Sequence, residues 1–189
     1  MVELSQDVDV AGWASRHAAG HAADRTPYGL HHLETLGHTV RFADTASNPR
    51  VRRAGGIIAA RAWGLQPVHV GLAANGPLSR GADVLLCMDE RTGIPAALLA
   101  QRTPVVSGIA WLEDPADFDT AYVQIARRAV QRMAGVFVEC SAMIDPLAES
   151  FGVSRDRLHF VHLGIDEQHF SPSVEPPIEI GRASCRERV

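Results

Sequence analysis

Residues 135–172 constrain the fold most, because an apolar run, a capped amphipathic stretch and a second apolar run follow one another there without a break. Val136, Phe137 and Val138 show no alternation with polar residues, the mark of a strand buried on both faces. Ser141 stands where a helix N-cap belongs. Met143, Ile144, Leu147 and Phe151 then recur at helical spacing, and Gly152 supplies the stop. A second strand is predicted over 158–163, emptying into Gly164-Ile165-Asp166 and then Phe170-Ser171-Pro172. Strand, helix and strand in strict succession are the building unit of a mostly parallel sheet covered by helices.

The same pattern runs upstream. The best central strand is 82–88, which delivers Asp89, Glu90, Arg91 and Thr92 to its C-terminal end, where open α/β sheets bind ligands. Two readings of this cluster stand side by side: a substrate-binding group, or a helix cap with a surface ion pair of little energetic value. The following helix is expected to start at Thr92 or Gly93 and to run over 96–101. Another strand is predicted over 103–108, and a long helix over 117–133 with Phe118, Tyr122, Ile125, Ala126, Ala129 and Met133 on one face. Arg127, Arg128, Gln131 and Arg132 fall largely elsewhere, as a solvated face or as a strip touching anionic lipid.

Nearer the start, Thr26-Pro27 predicts a helix with a buried stripe of Leu30, Leu33 and Leu36, ended by Gly37 and followed by a strand over 40–43. A helix over 54–63 and a weak strand over 67–71 come next. The first residues give the poorest signal: a short strand over 8–13, then an alanine-rich stretch interrupted by Gly20. His17 and His21 would share one face of a helix, as metal ligands do, but no third ligand follows at convincing spacing and no metal site is expected. Arg16, His17 and Arg25 either face an acceptor or phosphate or belong to a solvated surface. Tyr28 either stacks on an acceptor ring or packs in the core.

The 189 residues suffice for one well-buried domain, or one domain with a tail. A net charge of -4 gives no electrostatic case for nucleic acid as partner. Cys87, Cys140 and Cys185 are an odd set without metal spacing, which points to a reducing compartment. No apolar run approaches the ~18 residues of a membrane span, and no basic-then-apolar signal opens the chain. The expectation is a cytoplasmic protein, with room for peripheral association with a membrane surface.

The succession over 135–172 resembles the end of the N-terminal domain in the retaining glycosyltransferases with two facing Rossmann-like domains, the GT-B fold, family 4. The residues that carry the resemblance are Ser141, Gly152-Val153, Gly164-Ile165-Asp166, Phe170 and Pro172. Two further stretches are similar to that family: LETLGHTVRFAD near the start, a signature shared with other nucleotide-binding α/β enzymes, and Thr103-Pro104-Val105-Val106. The resemblance implies a three-layer Rossmann-like α/β domain over 1–172, the acceptor-side half of an enzyme that moves a sugar from a nucleotide-sugar donor to a hydroxyl acceptor. It implies retention, no cofactor and no metal requirement. The candidate substrate-binding residues are Arg25, Tyr28, Gly29, Glu90, Arg91 and Thr92. Two alternatives remain: a sugar-nucleotide epimerase of the same architecture, and a non-enzymatic Rossmann-like binding module.

The chain departs from the family in two places. The loop before the first helix reads AADRTPYGL, with Gly29 alone, expected within the helix, where the family is glycine-rich so that bare backbone can approach a diphosphate. After the strand over 103–108, where many relatives place a histidine close to the transferred sugar, this chain has Ile109, Ala110 and Trp111. Trp111, Glu113 and Asp114 are the candidates to take that role, and Glu113 or Asp114 would serve an inverting mechanism as general base. Retaining transfer leans mainly on stabilising the leaving phosphate, so the missing histidine does not exclude it. Residues 173–178 read as a proline-rich linker. Residues 179–189, EIGRASCRERV, resemble the translation of a sequencing-library adapter and are set aside from the fold. The expectation is a gene truncated before its donor-binding second domain, leaving an inactive fragment.

Overall fold

Alternation along one strand shows how the layers are arranged. Leu85 and Cys87 point into one hydrophobic core, while Leu86 and the following Met88 pack with Leu30, Leu33, Val10, Val40 and Phe42 on the other face. The computed structural model describes residues 2–3, 9–42, 70, 81–100, 102–112, 114–162, 164 and 169–170. Among these, β1 (Val2–Glu3), β2 (Leu85–Cys87), β3 (Val105–Gly108), β4 (Gly135–Val138) and β5 (Leu158–Phe160) form one sheet. Their spatial order is their chain order, and every pair is parallel.

The helices are α1 (Val10–Ala18), α2 (His32–Thr35), α3 (Glu90–Leu99), α4 (Thr120–Arg132) and α5 (Ile144–Glu149). From β2 to β5 each strand reaches its parallel neighbour through one helix, and the sheet always advances in the same direction. Right-handed crossovers then put α3, α4 and α5 on one face. Their side chains, among them Ile94, Val130 and Leu147, together with the fully buried Phe151 just beyond α5, close the main core against Leu85, Val105, Val136 and Val138. Burying a side chain such as Phe151 contributes about 1.5–3 kcal/mol. Residues from the α1 and α2 region cover the opposite face, giving the three-layer Rossmann-like α/β domain that the sequence predicts.

Over 135–162 strand, helix and strand follow in the order read, but Ser141 caps no helix: it is the first residue of a 3-10 turn, and Met143 stands at the N-cap of α5 without a side-chain hydrogen bond. Of the Gly164-Ile165-Asp166 and Phe170-Ser171-Pro172 segments, all but Gly164 and Phe170 lie outside the described residues. β4 is followed by a 3-10 turn, Ser141–Met143, then α5, then Gly152 in the left-handed region (φ 72°). β5 is shorter than predicted, although Val161 N still donates to Val138 O at 2.9 Å. The C-terminal carbonyls of α4 are capped by Arg157, whose Nη1 donates to Gln131 O at 2.9 Å and to Met133 O at 3.0 Å. Arg127, on the expected solvated face, spends its Nε on Ser150 O at 2.7 Å.

Several expectations need correction. The strand expected over 40–43 is only an isolated bridge at Phe42 among the described residues. The segment over 8–13 is not a strand: Asp9 accepts from Gly12 N at 2.9 Å and opens α1. The helix expected from Thr26 is a 3-10 turn (Pro27–Gly29) followed by the single turn of α2. Tyr28 (φ 58°) and Gly29 (φ 63°) both adopt left-handed backbone, which ends any right-handed run, and Leu36 is consequently 71% exposed. α3 begins at Glu90 with Asp89 as its N-cap, earlier than Thr92. The element expected over 54–63, that over 67–71 apart from the buried Val70, the linker over 173–178 and the tail over 179–189 lie outside the described residues.

Candidate functional site

Because the strands are parallel, the exits of β2, β3 and β4 open toward one end of the sheet, where ligands of open α/β folds bind. A cleft of about 430 Å³ lies there. Met88 lines it from β2, Gly108 to Ala110 from β3, Phe137 with Glu139 and Cys140 from β4, Met143 from the turn beyond, and Tyr28 from the covering layer. Gly108 is what lets these exits close up. A Cβ there would stand 2.4 Å from Met88 O and 2.9 Å from the Phe137 ring. A larger hollow of about 630 Å³ lies at the opposite end of β2, between residues 37–41 and 81–84, away from the strand exits.

The acidic cluster after β2 is turned mostly inwards. Asp89 caps α3 by accepting from Thr92 N at 3.2 Å, and its other oxygen accepts from Arg91 Nε at 2.9 Å and Arg91 Nη2 at 2.6 Å. Thr92 is 1% exposed and donates its hydroxyl to Asp89 O at 3.1 Å. Glu90 is 3% exposed, and its carboxylate accepts from Ala110 N at 2.9 Å, tying the loop after β3 to the start of α3. Burial pushes the Glu90 carboxyl above its ordinary range, against the pull of the Ala110 N–H, with Asp89 adding to the rise and Arg91 opposing it. On α4, burial, together with the Glu90 charge, pushes the Tyr122 phenol up to about 12. Of the expected substrate contacts, Glu90 and Thr92 therefore build the wall of the exit, and Arg91 is held by Asp89.

Trp111 sits beyond that tether, 69% exposed, between the buried Ile109 and Leu112. Asp114 caps the next turn, accepting from Ala116 N at 2.8 Å, and Glu113 lies outside the described residues. Arg25 is paired with Glu34 at 2.6 Å on the surface. Tyr28 reaches the cleft, and Gly29 follows it in left-handed backbone rather than within a helix. A bulky residue held at φ 58° stores on the order of 1–2 kcal/mol of backbone strain.

His17 and His21 do not share a helix face, because α1 ends at Ala18; His17 Nδ1 is 3.0 Å from Ala22 O. Instead Asp24 and His31, in the turn before α2, gather with His32, its first residue. Burial, then the neighbouring His32, holds the His31 imidazole below its usual range, against the raising effect of Asp24.

Two cleft residues were not singled out in the sequence, Glu139 and Cys140. Both are exposed and both directly follow β4, so the strand-exit position itself was the signal that pointed to them. The lining combines a carboxylate, a thiol and a phenol over an apolar floor of Met88, Ile109, Phe137 and Met143; no cationic side chain is among these described residues. Such a surface accepts hydrogen bonds from hydroxyl groups and packs against an apolar ring face. Compared with known proteins, the chain matches no family model and no curated sequence.

Proposed function

We propose that this domain is the acceptor-side half of a two-domain glycosyltransferase that moves a sugar from a nucleotide-sugar to a hydroxyl acceptor with retention. The observation that carries the reading is the strand-exit cleft, which Glu139 and Tyr28 both line beside Met88, Ile109 and Phe137. Glu139 accepts the acceptor's hydroxyls, Tyr28 packs on its ring, and Gly108 keeps the floor open. Recognition of the donor diphosphate belongs to a second half outside these residues, which also stabilises the charge that develops as the sugar–phosphate bond breaks. Residues 135–160 support the reading, since strand, serine-initiated turn, helix, Gly-Val turn and strand occur in the order of the resembling family. The proposal includes a cytoplasmic location. No helix among the described residues is long and apolar enough to cross a membrane.

The test is to extend the coding sequence past residue 178 and follow nucleoside diphosphate release from a panel of nucleotide-sugars with and without hydroxyl acceptors. The expected result is acceptor-dependent release that falls about tenfold or more in Glu139→Gln, the loss of a charged hydrogen bond, with no turnover by the 189-residue chain alone. Nucleotide release indifferent to acceptor would favour an epimerase of the same architecture. Turnover by the isolated chain would overturn the assignment of the donor site to a second half.

A further inference from the structure

Among the described residues, a group of metal-binding side chains spans the turn before α2 and its first residue, away from the strand exits. One oxygen of Asp24 and one nitrogen each of His31 and His32 lie within 4.8 Å of one another. His32 Nε2 is 3.4 Å from Asp24 Oδ1, and the two imidazole rings stand 4.0 Å apart. Tetrahedral zinc, with ligands at about 2.0–2.1 Å, keeps those ligands roughly 3.3 Å from each other. The Asp24–His32 pair thus already spans one edge of a coordination tetrahedron, and side-chain rotation supplies the remaining contraction.

The surroundings hold these three groups in place. Thr26 Oγ1 accepts the His31 backbone N–H at 2.9 Å and lies 3.2 Å from His31 Nδ1. A hydroxyl on Nδ1 orients the ring and leaves Nε2 to ligate, the usual outer-sphere arrangement for a metal-bound histidine. Trp13 Nε1 donates to Asp24 O at 2.9 Å and fixes that backbone to α1. Gly29, at φ 63°, spares the site a side chain: a Cβ there would stand 3.3 Å from Asp24 Oδ2 and 3.4 Å from His32 Cδ2. Arg25, the nearest cation in sequence, is drawn off by Glu34.

We propose that Asp24, His31 and His32 form a binding site for a divalent transition metal of the zinc class, with water completing the coordination. Two imidazoles and one carboxylate suit zinc, cobalt or nickel better than magnesium or calcium, which prefer all-oxygen sites. Occupancy would tie residue 24 to residues 31 and 32 and so clamp the strained turn that presents Tyr28 to the cleft. The inference does not depend on the proposed transferase activity, because its readout is metal binding.

The experiment titrates the chelator-treated 189-residue chain with Co²⁺, read by visible d–d absorption, and then with Zn²⁺ in competition with a chromophoric chelator. One ion per chain is expected, with four-coordinate cobalt absorption. Affinity should fall at least tenfold in His32→Ala, His31→Ala and Asp24→Asn, and about tenfold in Thr26→Val. His17→Ala and His21→Ala should bind as the unaltered chain does. His32 is exposed, so its replacement leaves the core untouched, and unchanged far-UV circular dichroism checks this for each variant. Binding no tighter than that of an Asp24→Asn, His32→Ala double variant would overturn the proposal and leave an ordinary Asp–His ion pair.

Discussion

Replacing Glu90 by Gln isolates the electrostatic cost of a carboxylate enclosed at the strand exit. Glu90 is nearly fully buried, faces Asp89 and Arg91 on its own segment and Tyr122 on α4, and holds one strong hydrogen bond, from Ala110 N. Gln keeps an oxygen for that N–H and removes only the charge. Burial raises the carboxyl above its ordinary value of 4.5, so the folded state holds the proton to higher pH than the unfolded state does. With more protons bound in the folded form, stability is complete below pH 4.5 and falls as pH rises from there through the folded pKa, then levels off. Each unit of that rise costs the wild type about 1.4 kcal/mol at neutral pH, and the Gln variant escapes the penalty. Urea unfolding followed by tryptophan fluorescence at pH 4 and pH 8 measures the difference. Glu90→Gln is expected to gain on the wild type between the two pH values. Glu90→Ala, which also strips Ala110 N–H of its acceptor, should lose about 1–3 kcal/mol at both. A difference between Glu90→Gln and wild type that does not change with pH, or that grows less favourable to Gln as pH rises, would refute the reasoning.

Gly108→Ala should destabilise by about 1–3 kcal/mol, because its Cβ meets the backbone oxygen of Met88 at 2.4 Å and neither strand exit can move freely. A thermal midpoint lowered by less than about 2 °C would count against that packing. Arg157→Ala removes both hydrogen bonds at the end of α4 and is expected to cost about 1–3 kcal/mol in urea unfolding, with no change in the denaturant slope. Tyr28→Gly relieves left-handed strain, so stability should hold or rise by about 1 kcal/mol while acceptor affinity of the extended enzyme falls; a clear loss of stability would show that the Tyr28 side chain outweighs its backbone.

The amino-acid order alone determined the layers. Apolar runs without alternation, separated by capped amphipathic stretches, admit a parallel sheet between helices and little else, and 82–88, 103–108, 117–133 and 135–160 each contain the expected element. It also located the end of the sheet at which to look for a cleft. Which side chains face that cleft was decided only in three dimensions. A residue just past a strand becomes wall or lining according to the loop that folds over it, and that loop comes from a distant part of the chain. Ala110 closes on Glu90 and buries it, whereas Glu139 stays exposed among the described residues. The turn at Tyr28 and Gly29 is the same lesson at shorter range: threonine and proline announced a helix, and two left-handed residues diverted it. That diversion brings Asp24 to His31 and His32, an encounter that neither heptad nor alternating spacing encodes, because it depends on backbone angles set by the surrounding contacts.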